Sequence, residues 1–278
     1  MKKSIQFVLL FVSFVVFSQT TRFIYDFKYK TDSTATSYQS ESMVLELNND
    51  EIQFYEQKAI RIDSLNALNN NGSSSYTFEF AKIKRKLSTS TNKNYYFLRG
   101  DYWVYESNDK IEWKIENETK KIGDWTAQRA TTNFGARKWI AWFVASLPIS
   151  EGPHKFNGLP GLVVELYDTK DNFIYKLLKI EKPKTTNTNI VETVFKKNPV
   201  SIPYKKFREM QIDNYNDPYY QFRSMREGTW AINVGGQKVT THEGLNKVTR
   251  DLQAYLRKNN NPIEPVVHYE MKKTRVVY

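Results

Sequence analysis

Three histidines, no cysteine and a scatter of carboxylates bound the chemistry open to this chain. His154 is the most suggestive of the three. It stands between Gly152-Pro153 and the run Phe156-Asn157-Gly158-Leu159-Pro160-Gly161-Leu162, where breaks in the chain can hold an imidazole toward a pocket. There it could act as a base, a metal ligand or a pH switch, and Glu151 or Glu165 could supply the carboxylate of a hydrolytic pair. Spacing assigns it no partner, so an exposed loop residue is the plainer expectation. His242-Glu243 opens like a zinc-protease helix, but Asn246 stands where the second imidazole belongs. Asp168 and Asp171 offer too few oxygens for calcium and fit a hairpin turn instead. No G-x-S-x-G elbow, phosphate-binding glycine loop or dinucleotide fingerprint occurs. The lack of cysteine removes thiolate catalysis, disulfides and cysteine metal sites. On this reading no catalytic residue is assigned, and neither a cofactor nor a metal is expected.

Composition points outward from the cell. Lys2 and Lys3 precede an apolar run from Ile5 to Phe17, and Ser18 occupies a small-residue position, which is the layout of a secretory signal peptide cleaved before Gln19. The run is shorter than the ~20 residues a stable span needs. The expectation is an exported protein, periplasmic or secreted, with no membrane span after cleavage of residues 1–18. The formal charge is +11 over 278 residues, of which the two signal lysines supply two, leaving +9. Such a balance favours anionic partners. The basic residues are nevertheless spread along the chain, with Lys82, Lys84, Arg85 and Lys86 the one dense run, so they read as a solvated surface. Nucleic acid is not the expected partner, because no nucleic-acid motif appears.

The elements that must position these residues are mostly strands. Phe23, Tyr25, Phe27 and Tyr29 alternate with polar neighbours, and Met43, Leu45 and Leu47 face Ile52 and Phe54 across a turn at Asn48-Asn49-Asp50. A short helix is expected over Ala59 to Leu68, with Ile62, Leu65 and Leu68 as its stripe. Strands follow at Tyr76 to Phe80, Tyr95 to Leu98, Tyr102 to Tyr105 and around Ile111, Trp113 and Ile115. Arg99-Gly100-Asp101 reads as a hairpin turn rather than an adhesion signal. Thr126 to Thr132 and Lys138 to Phe143 pair through Asn133-Phe134-Gly135, and apolar groups on both sides of the second strand require it to be covered on both faces. Leu159-Pro160-Gly161 suits a type II turn with positive φ at Gly161. Leu162 to Tyr167 and Phe173 to Ile180 form the next hairpin. Ile190 to Phe195 reads as a strand, Tyr204 to Met210 as a helix, and Trp230 to Val234 as a strand. A capping box at Thr240 and Glu243 starts a helix near 241–258, stopped by Asn259-Asn260-Asn261-Pro262. The fold class is therefore mainly β (α+β): a curved antiparallel sheet or open barrel with a few helices packed on it. Residues 19–265 form one β-rich domain and 266–278 a basic tail.

Ala130-Thr131, Ala141-Trp142, Pro148-Ile149-Ser150, Gly152-Pro153 and Phe156 to Leu162 together resemble the signature of the GLPGLI family, secreted proteins of Bacteroidota. The stretch YDFKYKTDS and Asn261-Pro262-Ile263-Glu264 resemble the family's ends, while Val163 stands where the family name has Ile. The resemblance implies export and fold identity. It implies no reaction and no residue roles.

The function that fits is an exported, non-enzymatic binding or accessory module of the cell envelope. Its ligand or partner, an envelope protein, a peptide or an apolar molecule, is expected at the Trp139–Leu162 region through Trp139, Trp142, His154, Phe156, Asn157, Gly158, Leu159, Pro160 and Gly161. The two tryptophans also suit a core. Two alternatives stay open: a hydrolase using His154 with a nearby carboxylate, and a structural or surface-adhesive protein.

Overall fold

The structure is a computed structural model that describes residues 20–68 and 80–264. The expected signal peptide, the C-terminal tail and most of the strand expected from Tyr76 lie outside those residues. Strand β1 (Thr21–Tyr29) is central because both its faces are apolar: Phe23, Tyr25, Phe27 and Tyr29 are buried on one side and Ile24 on the other. It pairs antiparallel with β2 (Gln39–Asn48), which turns through Asn49 into β3 (Glu51–Glu56). Helix α1 (Lys58–Leu68) follows. It buries Ala59, Ile62 and Asn66, whereas Leu68 is exposed, so its packed stripe is rotated from the one expected.

Strands β4 (Lys82–Lys86), β5 (Thr91–Leu98) and β6 (Asp101–Asn108) extend the sheet to one side. The dense basic run is therefore not a solvated surface. Lys82 and Arg85 are buried, and Lys84 reaches Glu51 at 3.3 Å and Glu192 at 3.5 Å. Arg99 and Gly100, both with positive φ, make the two-residue hairpin turn between β5 and β6. On the other side lie β7 (Lys114–Ile122), β8 (Trp125–Phe134), β9 (Arg137–Val144), β10 (Leu162–Asp168) and β11 (Phe173–Glu181). Ile111 and Trp113 precede β7 rather than lie in it, and β7 is a polar edge strand that the alternation of apolar residues could not reveal. The turn after β10 is organised by buried Asp168, whose Oδ1 accepts from the backbone N–H groups of Asn172 at 2.6 Å and Phe173 at 2.9 Å.

Ile190 to Phe195 departs from expectation. Its first four residues form the short helix α2 (Ile190–Thr193), because Ile190, Val191 and Val194 pack onto Ile24, Val44 and Tyr55, and this burial outweighs β propensity. After it come β12 (Val200–Ser201), α3 (Tyr204–Asn216), α4 (Tyr220–Arg223), the hairpin β13 (Ile232–Val234) and β14 (Gln237–Val239), and α5 (His242–Lys258). The cap of α5 is Thr241 rather than Thr240: its hydroxyl accepts from Gly244 N–H at 3.1 Å.

Among the described residues twelve strands make one open sheet, in the order β12-β6-β5-β4-β3-β2-β1-β11-β10-β9-β8-β7, antiparallel except for the short β12–β6 pair. The fold is thus mostly β, with a large mixed sheet that is not closed. Its two wings approach each other, since loop 145–161 after β9 contacts β4 and the β4–β5 turn through Arg85 and Thr89. One core lies inside this curl and a second between the opposite face and α1 and α2.

Loop 145–161 turns more tightly than a type II turn. Gly161 N–H donates to Leu159 O at 2.8 Å, closing a three-residue turn on Pro160. At a φ of 159° Gly161 is nearly extended. Glycine is required there because a Cβ would crowd the Val144 carbonyl, with its carbon at 2.6 Å, and Ala145 Cα at 2.9 Å. Gly161→Ala should lower the unfolding free energy by about 1–3 kcal/mol, and an unchanged denaturation midpoint would contradict this close approach.

Candidate functional site

Residues Glu151 to Phe156, in the loop between β9 and β10, are all buried. Glu151 pairs with Arg85, both side chains at 0% exposure, and Arg85 Nη1 donates to His154 O at 3.0 Å. Burial pushes the Glu151 carboxyl up from the usual range, and the guanidinium opposes that rise. The loop is further held by Trp113 Nε1, which donates to Asn157 O at 2.8 Å, and by Asn157 Nδ2, which donates to Thr89 O at 2.9 Å. It fills the curl of the sheet as a plug.

That placement sorts the residues singled out by sequence. Trp139 is wholly buried, donates from Nε1 to Phe134 O at 2.9 Å and packs 4.7 Å from the ring of Phe156. Trp142 lies beneath the Lys120 ammonium, 4.3 Å from its ring, and donates to the Tyr167 hydroxyl at 3.3 Å. Phe156 and Leu159 join the core, while Gly158 and Pro160 are exposed. Glu165 pairs with Lys120 and with Lys176, the latter at 3.5 Å. Neither Glu165 nor Glu151 is the partner of His154. His242 sits on the first turn of α5 with Nε2 3.1 Å from Met225 O. Among the described residues no group of three His, Asp or Glu could hold a metal ion.

His154 is the exception. It is 8% exposed, so it is not an exposed loop residue. Its backbone adopts φ of +57°, an uncommon region for a residue with a side chain. It lines a cavity of about 890 Å³. One wall is the apolar face of the sheet, including Tyr29, Phe54 and Tyr175; the opposite wall comes from Tyr204 and Gln211 of α3 and from Tyr255 and Leu256 of α5. The neighbouring Lys155, 2% exposed, reaches Asp109 at 3.1 Å, Glu264 at 3.0 Å and Ser107 Oγ at 3.4 Å. His154 Nε2 faces Glu264 Oε1 at 3.6 Å, and its Nδ1 has no hydrogen-bond partner among the described residues. Burial, then Lys155 and Arg85, hold the imidazole well below its ordinary pKa and therefore neutral. Burial raises the Glu264 carboxyl, against the pull of Lys155.

Glu264 is brought in by a strap that sequence reasoning quoted without a role. Arg137 binds Asp168 at 3.1 Å, Asn261 Oδ1 at 2.5 Å and Pro262 O at 3.0 Å, and Asn261 Nδ2 donates to Lys30 O at 2.7 Å. Ile263 enters the core over Gly135, where a Cβ would stand 3.2 Å from Glu264 Cα. The one advance signal was the stretch Asn261-Pro262-Ile263-Glu264, which resembles an end of the GLPGLI family.

Residues 135–165, the β9–loop–β10 segment, match the profile of a family described as "Protein of unknown function (Porph_ging)". No curated protein matches the chain. Solved structures of PNGF-II share the fold: the C2 form aligns with TM-score 0.51 and 17% identity over 69% of this chain and 32% of that one. The P21 form gives 0.51 and 16% over 69% and 33%. This chain therefore spans about a third of the length of the PNGF-II chain it resembles. At such identity the likeness speaks to the fold alone.

Two outcomes test the site's electrostatics. Glu151→Leu strands the buried Arg85 charge and should cost about 3–5 kcal/mol, whereas Arg85→Met with Glu151→Leu should cost far less; a double-mutant cycle by urea denaturation measures the difference. The unfolded imidazole titrates near 6.5, so below that pH the unfolded state takes up a proton that the folded state refuses, and stability is lost as pH falls. The raised carboxyls of Glu151 and Glu264 act in the opposite sense, binding protons first in the folded state. Relative to His154→Asn, the native chain should lose more melting temperature between pH 8 and pH 5.5; parallel curves would contradict a buried neutral His154.

Proposed function

We propose that this protein is an exported binding module of the cell envelope whose ligand occupies the cavity between the sheet and helices α3 and α5. The supporting observation is the cavity itself: aromatic walls converge on a buried imidazole nitrogen that the protein leaves unpaired. The export reading comes from the sequence of residues 1–18 and from the resemblance to the GLPGLI family. The match over residues 135–165 covers part of the residues that carry that resemblance, Ala141-Trp142 to Leu162. No helix among the described residues is long and apolar enough to cross a membrane. The proposed ligand position is the cavity rather than the whole Trp139–Leu162 region, because that region contributes to the cavity only through His154 and Lys155.

The hydrolytic alternative has one observation in its favour, the His154–Glu264 approach beside Ser107. Ser107 donates to the Asp109 carboxylate, and its neighbour Lys155 is an ammonium bound to Asp109 and Glu264. The acceptor of the Ser107 proton is thus a lysine-paired carboxylate and not His154, so the imidazole is not set against a hydroxyl nucleophile and binding is the better reading.

Native mass spectrometry of the chain equilibrated with envelope extract should detect a retained small molecule. Ala81→Trp, which puts an indole among the lining residues, should weaken retention at least about ten-fold, while Pro160→Ala should leave it unchanged. Retention that ignores Ala81→Trp, or no retention from any fraction, would overturn the reading.

A further inference from the structure

We propose that the cavity selects ligands carrying a cationic amine on an aromatic or apolar body, with the amine seated among His154, Gln211 and Glu264; this rests on reading the cavity as a binding site. The polar atoms left open there are acceptors. Among the cavity-lining described residues, the buried side-chain atoms without a hydrogen-bond partner are His154 Nδ1 and Gln211 Oε1. Glu264 Oε1, which faces His154 Nε2 at 3.6 Å, can only accept when ionised. With the imidazole proton placed on Nε2, toward that carboxylate, Nδ1 carries the lone pair. The neutrality of the buried ring keeps that lone pair available.

Charge points the same way. Lys155 meets three acceptors, Asp109, Glu264 and Ser107, with its three N–H groups, so it has none to spare for an anionic ligand. Lys30 directs its ammonium over the Tyr38 ring at 5.0 Å, and Tyr38 is not a lining residue. The carboxylates of Glu106, Asp109 and Glu264 outnumber these two cations. Ring faces complete the fit: Tyr29 and Phe80 meet edge to face at 4.9 Å and both line the cavity, as does Tyr175. Open buried acceptors, more carboxylates than ammoniums and π faces are what an alkylammonium group needs.

Calorimetric titration of the purified chain with tyramine, N-acetyltyramine and 3-(4-hydroxyphenyl)propionate tests the proposal, since the three share a phenol and differ in charge. Tyramine should bind at least about ten-fold tighter than either analogue. Glu264→Gln and Gln211→Leu should each weaken tyramine by about five-fold or more and leave N-acetyltyramine within about two-fold. If Glu264→Gln melts early because the strap is loosened, Gln211→Leu on α3 carries the comparison alone. Equal binding of tyramine and N-acetyltyramine, preference for the carboxylate, or no binding by any probe would overturn the proposal. Binding of neutral or anionic ligands that Ala81→Trp removes would refute the amine preference and leave the cavity reading standing.

Discussion

A carboxylate and a guanidinium, taken wholly out of water, hold the two wings of this sheet together. Arg85 lies on β4 and Glu151 in the loop after β9, on opposite sides of β1 in the strand order. Among the described residues the open twelve-stranded sheet has no closing ladder of hydrogen bonds to fix its curvature. The plug loop supplies that constraint by bonding to β4 and to the β4–β5 turn while its apolar residues fill the curl. Because desolvation of such a pair is costly, its value lies in geometry: either charge alone in that site is strongly unfavourable, so the loop and β4 must meet in one arrangement.

The same arrangement creates the cavity. With Arg85 holding the carbonyl of His154, the imidazole and the next residue, Lys155, are delivered to the cavity, and Phe156 turns back into the core. The strap from Asn261 to Glu264 closes the site from the far end of the chain, tied by Arg137 to the turn that Asp168 organises. Helix α5 precedes that strap, so the wall it gives the cavity is anchored at its C-terminal end.

Much of the sheet was legible because short-range patterns encode it. Alternation at Phe23 to Tyr29, the Asn49 turn and the Gly-Pro breaks after Trp142 each depend on neighbours within a few residues. The misplaced features depend on partners far away. Arg85 reads as surface because the acid that buries it lies 66 positions on. Ile190 to Phe195 reads as a strand because its β-branched residues say nothing of the face they pack against. Glu264, 109 positions from Lys155, had no signature as a site residue. Trp139, Trp142, Phe156 and Leu159 pack in the core, and Gly161 is where the backbone approaches Val144 and Ala145 closely.

Amide hydrogen exchange across residues 145–161 is the most direct test of the plug. If the loop is locked between β4 and the core, the amides of Glu151, Phe156 and Gly158 should exchange only by global opening, with the same free energy and denaturant dependence as those of β1. Exchange of that segment by a separate low-energy opening, while β1 stays protected, would contradict the account.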